Sequence, residues 1–454
     1  MGAYLRFFER GIEKDLERDK SKGMRGRPLW EAAPNGGYQG LDPTKDRRAL
    51  IPPLGLREYW YPALPDKKVG GKPVFWVMVG DELVFFRNKQ GEVVALSDVC
   101  PHRGASLAEG NCFYNGFVTC PYHGATYDGV GECVAFITEG PDSKMVGNLH
   151  ARVYPTRTLH GWVFVWMGEG EPAPIEEDVP PEFFESTSKT MVFTTYSYWR
   201  ANWMVAVENH KDPHNTFFVH RNSWIQLRSA GGFRPTPLGP RPKVVNGRSL
   251  AGDERGNANY YAPENGKGSY QLYFPGVDGV WPLHQWRRLW GWAFKLLVRR
   301  WQRYETPEEW DMCNHLPAIV RSRVGGHGVY TRWAVPVTAN LSRIVYMHGM
   351  RPKGALGRLW ERIAWVTYFN WMVDYNFSGQ DSAAAAPVRY WTEEHLSSTD
   401  SFLVFWRKLV ADGSRDALRR KKRSDGHAPD QETPAEESSY EHQREIGMTV
   451  GARQ

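Results

Sequence analysis

The sequence predicts an α+β protein of two domains, an antiparallel β domain followed by a domain that combines an antiparallel sheet with helices. The chain has 454 residues, which is more than one ordinary hydrophobic core organises. Between residues 59 and 166, short β-rich runs alternate with Gly, Asn and Asp, as in strands joined by tight turns. Residues 182–410 mix helix-like and strand-like stretches, which predicts the second domain.

Changes in composition along the chain predict its segments. A polar stretch at 1–50 predicts an N-terminal arm, and 51–168 predicts the β domain. An acidic, proline-rich stretch at 169–182 is the predicted linker. The second domain is expected over 183–411. Residues 412–454 are charged and poor in apolar side chains, so a disordered tail is expected there.

Individual elements follow from hydrophobic periodicity. In the first domain, β-rich runs predict strands near residues 74–79, 83–86, 93–96 and 161–166. In the second domain, the same reasoning predicts strands near 318–320, 329–335 and 343–347 and helices near 203–220 and 360–373.

Composition also excludes several classes of protein. The net charge of +6 is spread along the chain, so no nucleic-acid partner is expected. Five cysteines, an odd number in a long chain, do not suit a secreted disulfide framework, and a cytoplasmic setting is expected. Two aromatic and basic segments, 281–301 and 359–372, are expected to form a lid or entrance helix rather than to contact a membrane.

Two short segments mirror each other in sequence and contain the first candidate metal ligands. One runs from Cys100 through His102, and the other runs from Cys120 through His123. Two thiolates and two imidazoles on paired loops are what a [2Fe–2S] cluster needs when histidines replace cysteines on one iron. A structural zinc site could use the same ligands. The Cys-Pro pairs and the nearby glycines in both loops favour iron–sulfur.

These two segments resemble the Rieske iron–sulfur signature. The resemblance implies that Cys100 and Cys120 bind one iron and that His102 and His123 bind the other. One departure is Ala125, where many family members carry Trp. That change bears on packing rather than on ligation.

A second constellation lies in residues 208–220, where three histidines and two acids occur within thirteen residues. A mononuclear Fe(II) site needs two imidazoles and one carboxylate on one face, with the other face open to dioxygen. Pro213 interrupts the local helix, and such a break can turn side chains toward a common centre.

This segment resembles the Glu-Asn-x-x-Asp and paired-histidine motif of the Rieske non-heme iron ring-hydroxylating oxygenases. The residues that match its first part are Glu208, Asn209 and Asp212. His220 matches the last ligand, while the usual position of the first histidine is occupied by Asn215. We expect His214 and His220 to bind the iron, with Asn215 or His210 as alternatives for the first ligand.

The carboxylate ligand is expected from a distant segment that resembles the late acidic motif of the family. Asp381 is the expected ligand and Asp374 the alternative, although Asp381 could also serve only as a helix N-terminal residue. By resemblance, Asn209 and Asp212 belong to the catalytic machinery. Asp212 is expected to bridge a mononuclear-site histidine and His123 of a neighbouring subunit, which implies a homotrimer.

The resemblance implies the terminal oxygenase component of a multicomponent system, with a helix-grip catalytic domain. Its cofactors would be a Rieske [2Fe–2S] cluster and a mononuclear Fe(II), and its substrate an apolar, aromatic or polycyclic compound oxygenated with O₂. A ferredoxin or flavin reductase would supply electrons, because no flavin or nicotinamide fingerprint is present. The alternatives are a pure electron-transfer Rieske protein and a ligand-binding protein with a degenerate iron site.

Overall fold

The computed structural model describes residues 41–211, 219–220, 241–253, 306–311, 313–324, 328–397 and 400–424. The chain forms two compact units. One combines the chain up to Leu54 with Phe184–Ser414, and the other combines Gly55–Phe183 with the chain from Arg415. Antiparallel sheets with few helices confirm the predicted α+β class.

The unit that contains residues 55–183 is built from short antiparallel strands. They are Trp60–Pro65 (β1), Val74–Met78 (β2), Asp81–Arg87 (β3), Val93–Ser97 (β4), Val118–Thr119 (β5), Ala125–Tyr127 (β6), Cys133–Phe136 (β7), Val153–Tyr154 (β8), Thr156–Leu159 (β9) and Trp162–Trp166 (β10). In the described residues these strands form sheets in the orders β1-β10-β9, β2-β3-β4-β8 and β5-β6-β7. The strands predicted in this domain are confirmed to within about two residues.

The core of this unit reaches the two mirrored segments. Val84, Leu96 and Val118 are fully buried and pack in one hydrophobic cluster with Cys100 and Cys120. The sequence folds this way because alternate apolar residues of β3, β4 and β5 share the inner face of their sheets. The two cysteines are therefore anchored in a packed core rather than on free loops.

The predicted linker 169–182 is packed within the same unit. Asp178 is completely buried and accepts the backbone N–H of Trp60 at 3.0 Å. Two short 3₁₀ turns, Ile175–Glu177 and Pro181–Phe184, shape the segment. The acidic composition that suggested a solvated linker instead supplies buried carboxylates to a structured segment.

The other unit is organised around a larger antiparallel sheet. Its strands are Met191–Trp199 (β11), Arg241–Val245 (β12), Ser249–Asp253 (β13), Cys313–His315 (β14), Ile319–Val324 (β15), Gly328–Thr338 (β16) and Leu341–Met350 (β17). Across the described ranges their order is β11-β17-β16-β15-β14-β13-β12. Every residue of β16 and β17 is buried, so both faces of the central strands are covered.

Helices complete this unit. They are Trp203–Glu208 (α1), Gly354–Ala364 (α2), Ser378–Ala385 (α3) and Ser401–Gly413 (α4). Between α2 and α3 the backbone is π-helical over Trp365–Phe369 and Trp371–Phe377. The strands predicted near 329–335 and 343–347 are confirmed, and the predicted helix near 360–373 begins earlier and continues as these π-helical turns. Within the described residues no helix has both the length and the apolarity to span a bilayer.

The chain ends its described part in one more helix, Arg415–Ser424 (α5), which belongs to the β-rich unit. The guanidinium of Arg415 donates to Asp178 at 2.8 Å and to Glu177 at 2.7 Å. The Asp416 carboxylate accepts the backbone N–H of Arg57 at 2.7 Å. The expectation of disorder from residue 412 therefore does not hold for residues 412–424, and 425–454 lie outside the described part.

Candidate functional site

The two mirrored loops have the same backbone geometry. The Cys100 N–H donates to the Ala105 carbonyl at 2.8 Å, and the Gly104 N–H returns a bond to the Cys100 carbonyl at 2.8 Å. In the second loop, Cys120 and Gly124 make the equivalent bonds at 2.8 and 3.2 Å. Both glycines have positive φ, 73° and 70°, which a side chain would strain. Each turn thus carries its cysteine at the start and its histidine two residues before the glycine in the first loop and one residue before it in the second.

The folded loops bring like ligands together. The rings of His102 and His123 lie with centroids 4.7 Å apart. A hydrogen bond between the two thiols lowers the pKa of Cys100 to about 5 and raises that of Cys120 above its usual range. The Tyr127 hydroxyl lies 3.2 Å from the Cys100 sulfur. One sulfur pair and one imidazole pair form the donor set that a Rieske cluster requires.

The surroundings of the two histidines are aromatic. The Phe136 ring meets that of His102 at 5.1 Å, and the Tyr122 ring lies 3.9 Å from that of His123. Both imidazoles are partly exposed, whereas the cysteines are buried. The imidazole side of the predicted cluster therefore reaches the surface, where a partner group can accept a hydrogen bond from a ring N–H.

The second candidate centre lies in the larger unit, where His220 and Asp381 face each other. His220 Nε2 is 2.9 Å from Asp381 Oδ1, and both side chains are buried. The approach lacks hydrogen-bond geometry, and Oδ1 has no hydrogen-bond partner among the described residues. An imidazole nitrogen and a carboxylate oxygen that lie close together without a hydrogen bond have the arrangement of two ligands that bind one metal ion.

Neighbouring side chains orient both groups. His220 Nδ1 lies 3.2 Å from Gln380 Oε1, so Nδ1–H donates and the lone pair of Nε2 faces Asp381. The Phe377 ring stacks on the imidazole at 3.7 Å. Arg332 lies 3.5 Å from the other oxygen of Asp381 and forms an ion pair with it. These contacts present a neutral imidazole nitrogen and a carboxylate, the ligand types that Fe(II) accepts.

The alternative ligands are engaged elsewhere. His210 Nδ1 lies 3.0 Å from Asn314 Oδ1, and His210 Nε2 lies 2.7 Å from Ser322 Oγ. Asp374 Oδ1 accepts from His348 Nε2 at 2.8 Å, and its second oxygen accepts from the Thr195 hydroxyl. Both ring nitrogens of His210 and both oxygens of Asp374 thus have polar partners in the folded chain.

Three residues that the sequence singled out, Asp212, His214 and Asn215, lie outside the described residues. Asn209 lies at the C-terminal end of α1, where its N–H donates to backbone carbonyls of the helix. The described ranges contain no ready group of three or more His, Cys, Asp or Glu side chains for one metal ion. Of the three predicted iron ligands, His220 and Asp381 are consequently the two that lie within the described residues.

Sequence reasoning missed the groups that hold this region in place. Glu208 is buried, which raises its pKa, and it receives a bidentate pair of bonds from Arg407 at 2.7 and 2.9 Å. Arg407 also donates to Glu394 at 2.6 Å. Gln380 stands beside Asp381 in sequence and could have been noticed. Arg332 and Arg407 come from distant segments, and no spacing rule predicts them.

Comparison with known proteins matches the two parts of the chain separately. Residues 59–154 match the Rieske [2Fe-2S] domain family, and residues 166–276 match the family described as homotrimeric ring hydroxylase. The chain thus carries a Rieske [2Fe-2S] domain followed by a segment similar to the homotrimeric ring hydroxylases. This confirms the resemblance stated from the sequence, and the matched families imply a [2Fe–2S] cluster and a mononuclear iron.

Particular relatives can be named. The chain is 31% identical over 172 residues to the terminal oxygenase component of carbazole 1,9a-dioxygenase from Metapseudomonas resinovorans, covering 37% of this chain and 44% of that protein. It is 30% identical over 169 residues to the oxygenase component of dicamba O-demethylase from Stenotrophomonas maltophilia, covering 37% and 48%. The sequence matches therefore span less than half the length of these relatives.

A solved structure extends the likeness in fold. The terminal oxygenase of carbazole 1,9a-dioxygenase from Nocardioides aromaticivorans IC177 superposes with a TM-score of 0.62 at 24% identity. The match covers 82% of this chain and 98% of that chain. The fold of both units is thus that of a Rieske oxygenase.

Proposed function

We propose that this protein is the terminal oxygenase component of a multicomponent Rieske oxygenase. It takes electrons from a separate donor protein and uses O₂ to hydroxylate an apolar, aromatic or polycyclic substrate. The observation that carries this proposal is the buried pair of His220 and Asp381, whose facing atoms are close without a hydrogen bond. A pure electron-transfer protein has no need of such a pair.

The chain offers ligands for both iron centres. Cys100 and Cys120 would hold one cluster iron, and His102 and His123 the other. The ligands of the mononuclear iron would be His214, His220 and Asp381. When bound, the cluster supplies single electrons and the mononuclear Fe(II) supplies the centre at which O₂ is activated.

The protein groups around these ligands bind and orient them. Gln380 fixes the tautomer of His220 by accepting from Nδ1–H, which leaves Nε2 free of its proton. Arg332 keeps a positive charge next to the Asp381 carboxylate. Asp212 would accept N–H bonds from His214 and from His123 of a neighbouring subunit.

Asp212→Ala is expected to keep both iron centres and lose turnover. Iron analysis and product assays measure these two properties, and normal turnover would exclude the bridge.

The apolar substrate is inferred from the named relatives, and the described part of the larger unit adds a small pocket with room for about one water molecule. Its lining is mostly apolar, and one imidazole contributes a polar group. The lining residues are Gly328, Val329, His348, Gly349, Met350, Trp365, Phe369 and Val373. Relatives are named for carbazole and dicamba, both aromatic compounds.

The assembly and the electron donor are part of the proposal. The matched family is described as homotrimeric, and a related oxygenase was solved in complex with a ferredoxin. We therefore propose a homotrimer that receives electrons from a ferredoxin, a flavin reductase or both. None of the five cysteines, all of which the structure describes, forms a disulfide bond, which suits cluster assembly in the reducing cytoplasm.

Iron analysis followed by product analysis tests the function. The purified protein should hold two cluster irons with two sulfides and one additional iron per chain. With an electron donor and ¹⁸O₂, a panel of aromatic, heteroaromatic and terpenoid compounds should yield labelled products by mass spectrometry. A protein that retains only the cluster irons, or that reduces O₂ without oxygenating any compound of the panel, contradicts the proposal.

A further inference from the structure

Helix α2 turns a stripe of large apolar side chains toward solvent. Leu356 is 77% exposed, and Val366, in the turn that follows α2, is 78% exposed. The exposed apolar residues between them are Leu359, Trp360 and Ile363. Residues three or four apart share one side of a helix, so these five side chains form one continuous surface. We call this surface the α2 face.

The orientation of α2 is fixed from its opposite side. Gly357 and Glu361 are buried. The Arg358 guanidinium donates to the carbonyls of Thr187 and Ser188 at 2.6 and 2.8 Å. The helix therefore cannot bury its apolar side by turning about its axis without breaking these contacts. The exposure of the α2 face is a property of the packed unit.

Charge distinguishes the α2 face from an ordinary apolar patch. Glu361 is the only acidic residue between positions 351 and 369, and its side chain is buried. The charged side chains exposed along this helix are the cations of Lys353 and Arg362. An apolar stripe with basic side chains beside it, and a tryptophan among its members, is the pattern of helices that lie in the interface of an anionic bilayer.

We propose that the α2 face docks this protein on an anionic lipid surface, with the helix lying in the plane of the membrane. This differs from the expectation of a lid or entrance helix at 359–372, because the structure turns the apolar side of the segment outward. On the inner side, Trp365 and Phe369 line the pocket already described. The same stretch would thus lie between the lipid and that pocket.

A lipid surface fits better than a two-fold contact between the α2 faces of two copies. Two α2 faces placed together would bring Lys353 and Arg362 of both copies close to each other, with no exposed acid on the helix to neutralise them. Like charges across an apolar contact oppose association, whereas anionic lipid head groups supply the missing charge. The docking does not depend on the catalytic proposal, since it concerns a surface that contains no candidate iron ligand.

Vesicle flotation of the purified full-length protein tests this inference. Vesicles of phosphatidylcholine with phosphatidylglycerol should carry the protein to the top of the gradient, and vesicles of phosphatidylcholine alone should carry much less. Replacing Leu356 and Val366 together by Gln should lower the bound fraction about ten-fold or more, because both side chains lose apolar area that would enter the lipid. Arg362→Gln should weaken binding and reduce its dependence on salt.

A matched control replaces Val404 and Phe405 by Gln, since both are exposed apolar residues of α4 in the same unit. This variant should float like the wild type. Unchanged thermal unfolding and an unchanged visible spectrum of the cluster show that each variant is folded. Equal flotation of the Leu356/Val366 variant would overturn the inference, and so would failure of the wild type to float. Dissociation of the oligomer in that variant, without loss of lipid binding, would assign the α2 face to contact between copies instead.

Discussion

At the scale of single residues, the structure distinguishes the two buried acids that the sequence ranked as expected ligand and alternative. Asp374 and Asp381 lie on one continuous helical stretch, and both are almost fully buried. Both oxygens of Asp374 accept hydrogen bonds from neutral or histidine donors. Asp381 keeps one oxygen without such a bond among the described residues, facing His220. A buried carboxylate oxygen without a hydrogen bond lowers the stability of the folded state unless a cation binds to it.

Replacing each acid by Ala should therefore have different effects. Asp381→Ala is expected to lose the mononuclear iron while keeping the cluster. Asp374→Ala should keep that iron and lose about 1–3 kcal/mol of stability, because His348 and Thr195 lose their buried acceptor. Total iron, the EPR signal of the reduced cluster and urea unfolding measure the three quantities. Loss of the mononuclear iron from Asp374→Ala alone would reverse the ligand assignment.

Gln380 offers a finer test at the same scale. Gln380→Leu removes the acceptor for the Nδ1–H of His220, so iron affinity should fall about 10–100-fold, while Gln380→Glu should preserve it. The affinity is measured by titrating iron into protein whose mononuclear site has been emptied by chelation. Ala383→Ser, an exposed change on the same helix, serves as the control. Equal affinities of the Leu variant and the wild type would show that Gln380 does not position His220.

At the scale of elements, strands were predictable and helix type was not. Strands such as β3 and β17 follow from dense β-branched and aromatic runs with turn residues at their ends. The π-helical turns before α3 lack such a signal, because an i→i+5 bond changes no residue preference that a single sequence displays. The Rieske domain was predictable by resemblance. The ion pair between Glu208 of α1 and Arg407 was not predictable, because about two hundred residues separate the two in the sequence.

The contact between α1 and α4 leads to a stability prediction. Arg407 is the buried cation for Glu208 and Glu394, so Arg407→Met should leave buried negative charge uncompensated. Loss of one partner of a buried pair typically costs about 3–5 kcal/mol. Lys408→Met, the exposed neighbour on α4, should change stability by less than about 0.5 kcal/mol. Urea unfolding of the larger unit measures both.

Adding Glu208→Gln to Arg407→Met should restore part of the loss, because the unpaired charge is then removed. If the two single changes and the double change were simply additive, the two side chains would not act as a pair. The Rieske spectrum should stay constant throughout, which separates this effect from damage to the cluster.

At the scale of the whole molecule, the chain builds one unit from two separated pieces. The β-rich unit takes Gly55–Phe183 and then α5, and Phe184–Ser414 of the larger unit lies between them in the chain. Charge composition alone predicted disorder after residue 412, because it counts cations without their partners. The partners of Arg415 are Glu177 and Asp178, in the segment that the same composition rule assigned to a linker. The predicted linker and the predicted disordered tail thus supply the two sides of the same ionic contact.

This contact predicts that the cluster-bearing unit needs α5. A chain that stops after Ser414 should lose about 3–5 kcal/mol of stability in that unit, since Asp178 is completely buried and its cation is removed. A chain that stops after Ser424 keeps Arg415 and Asp416 and should retain the wild-type value. Loss of the visible circular dichroism of the cluster on heating reports this unit specifically. Arg415→Met in the full chain should reproduce most of the loss, whereas Arg420→Gln, which is exposed on α5, should not. Equal cluster stability of the two truncated chains would mean that α5 does not stabilise the β-rich unit.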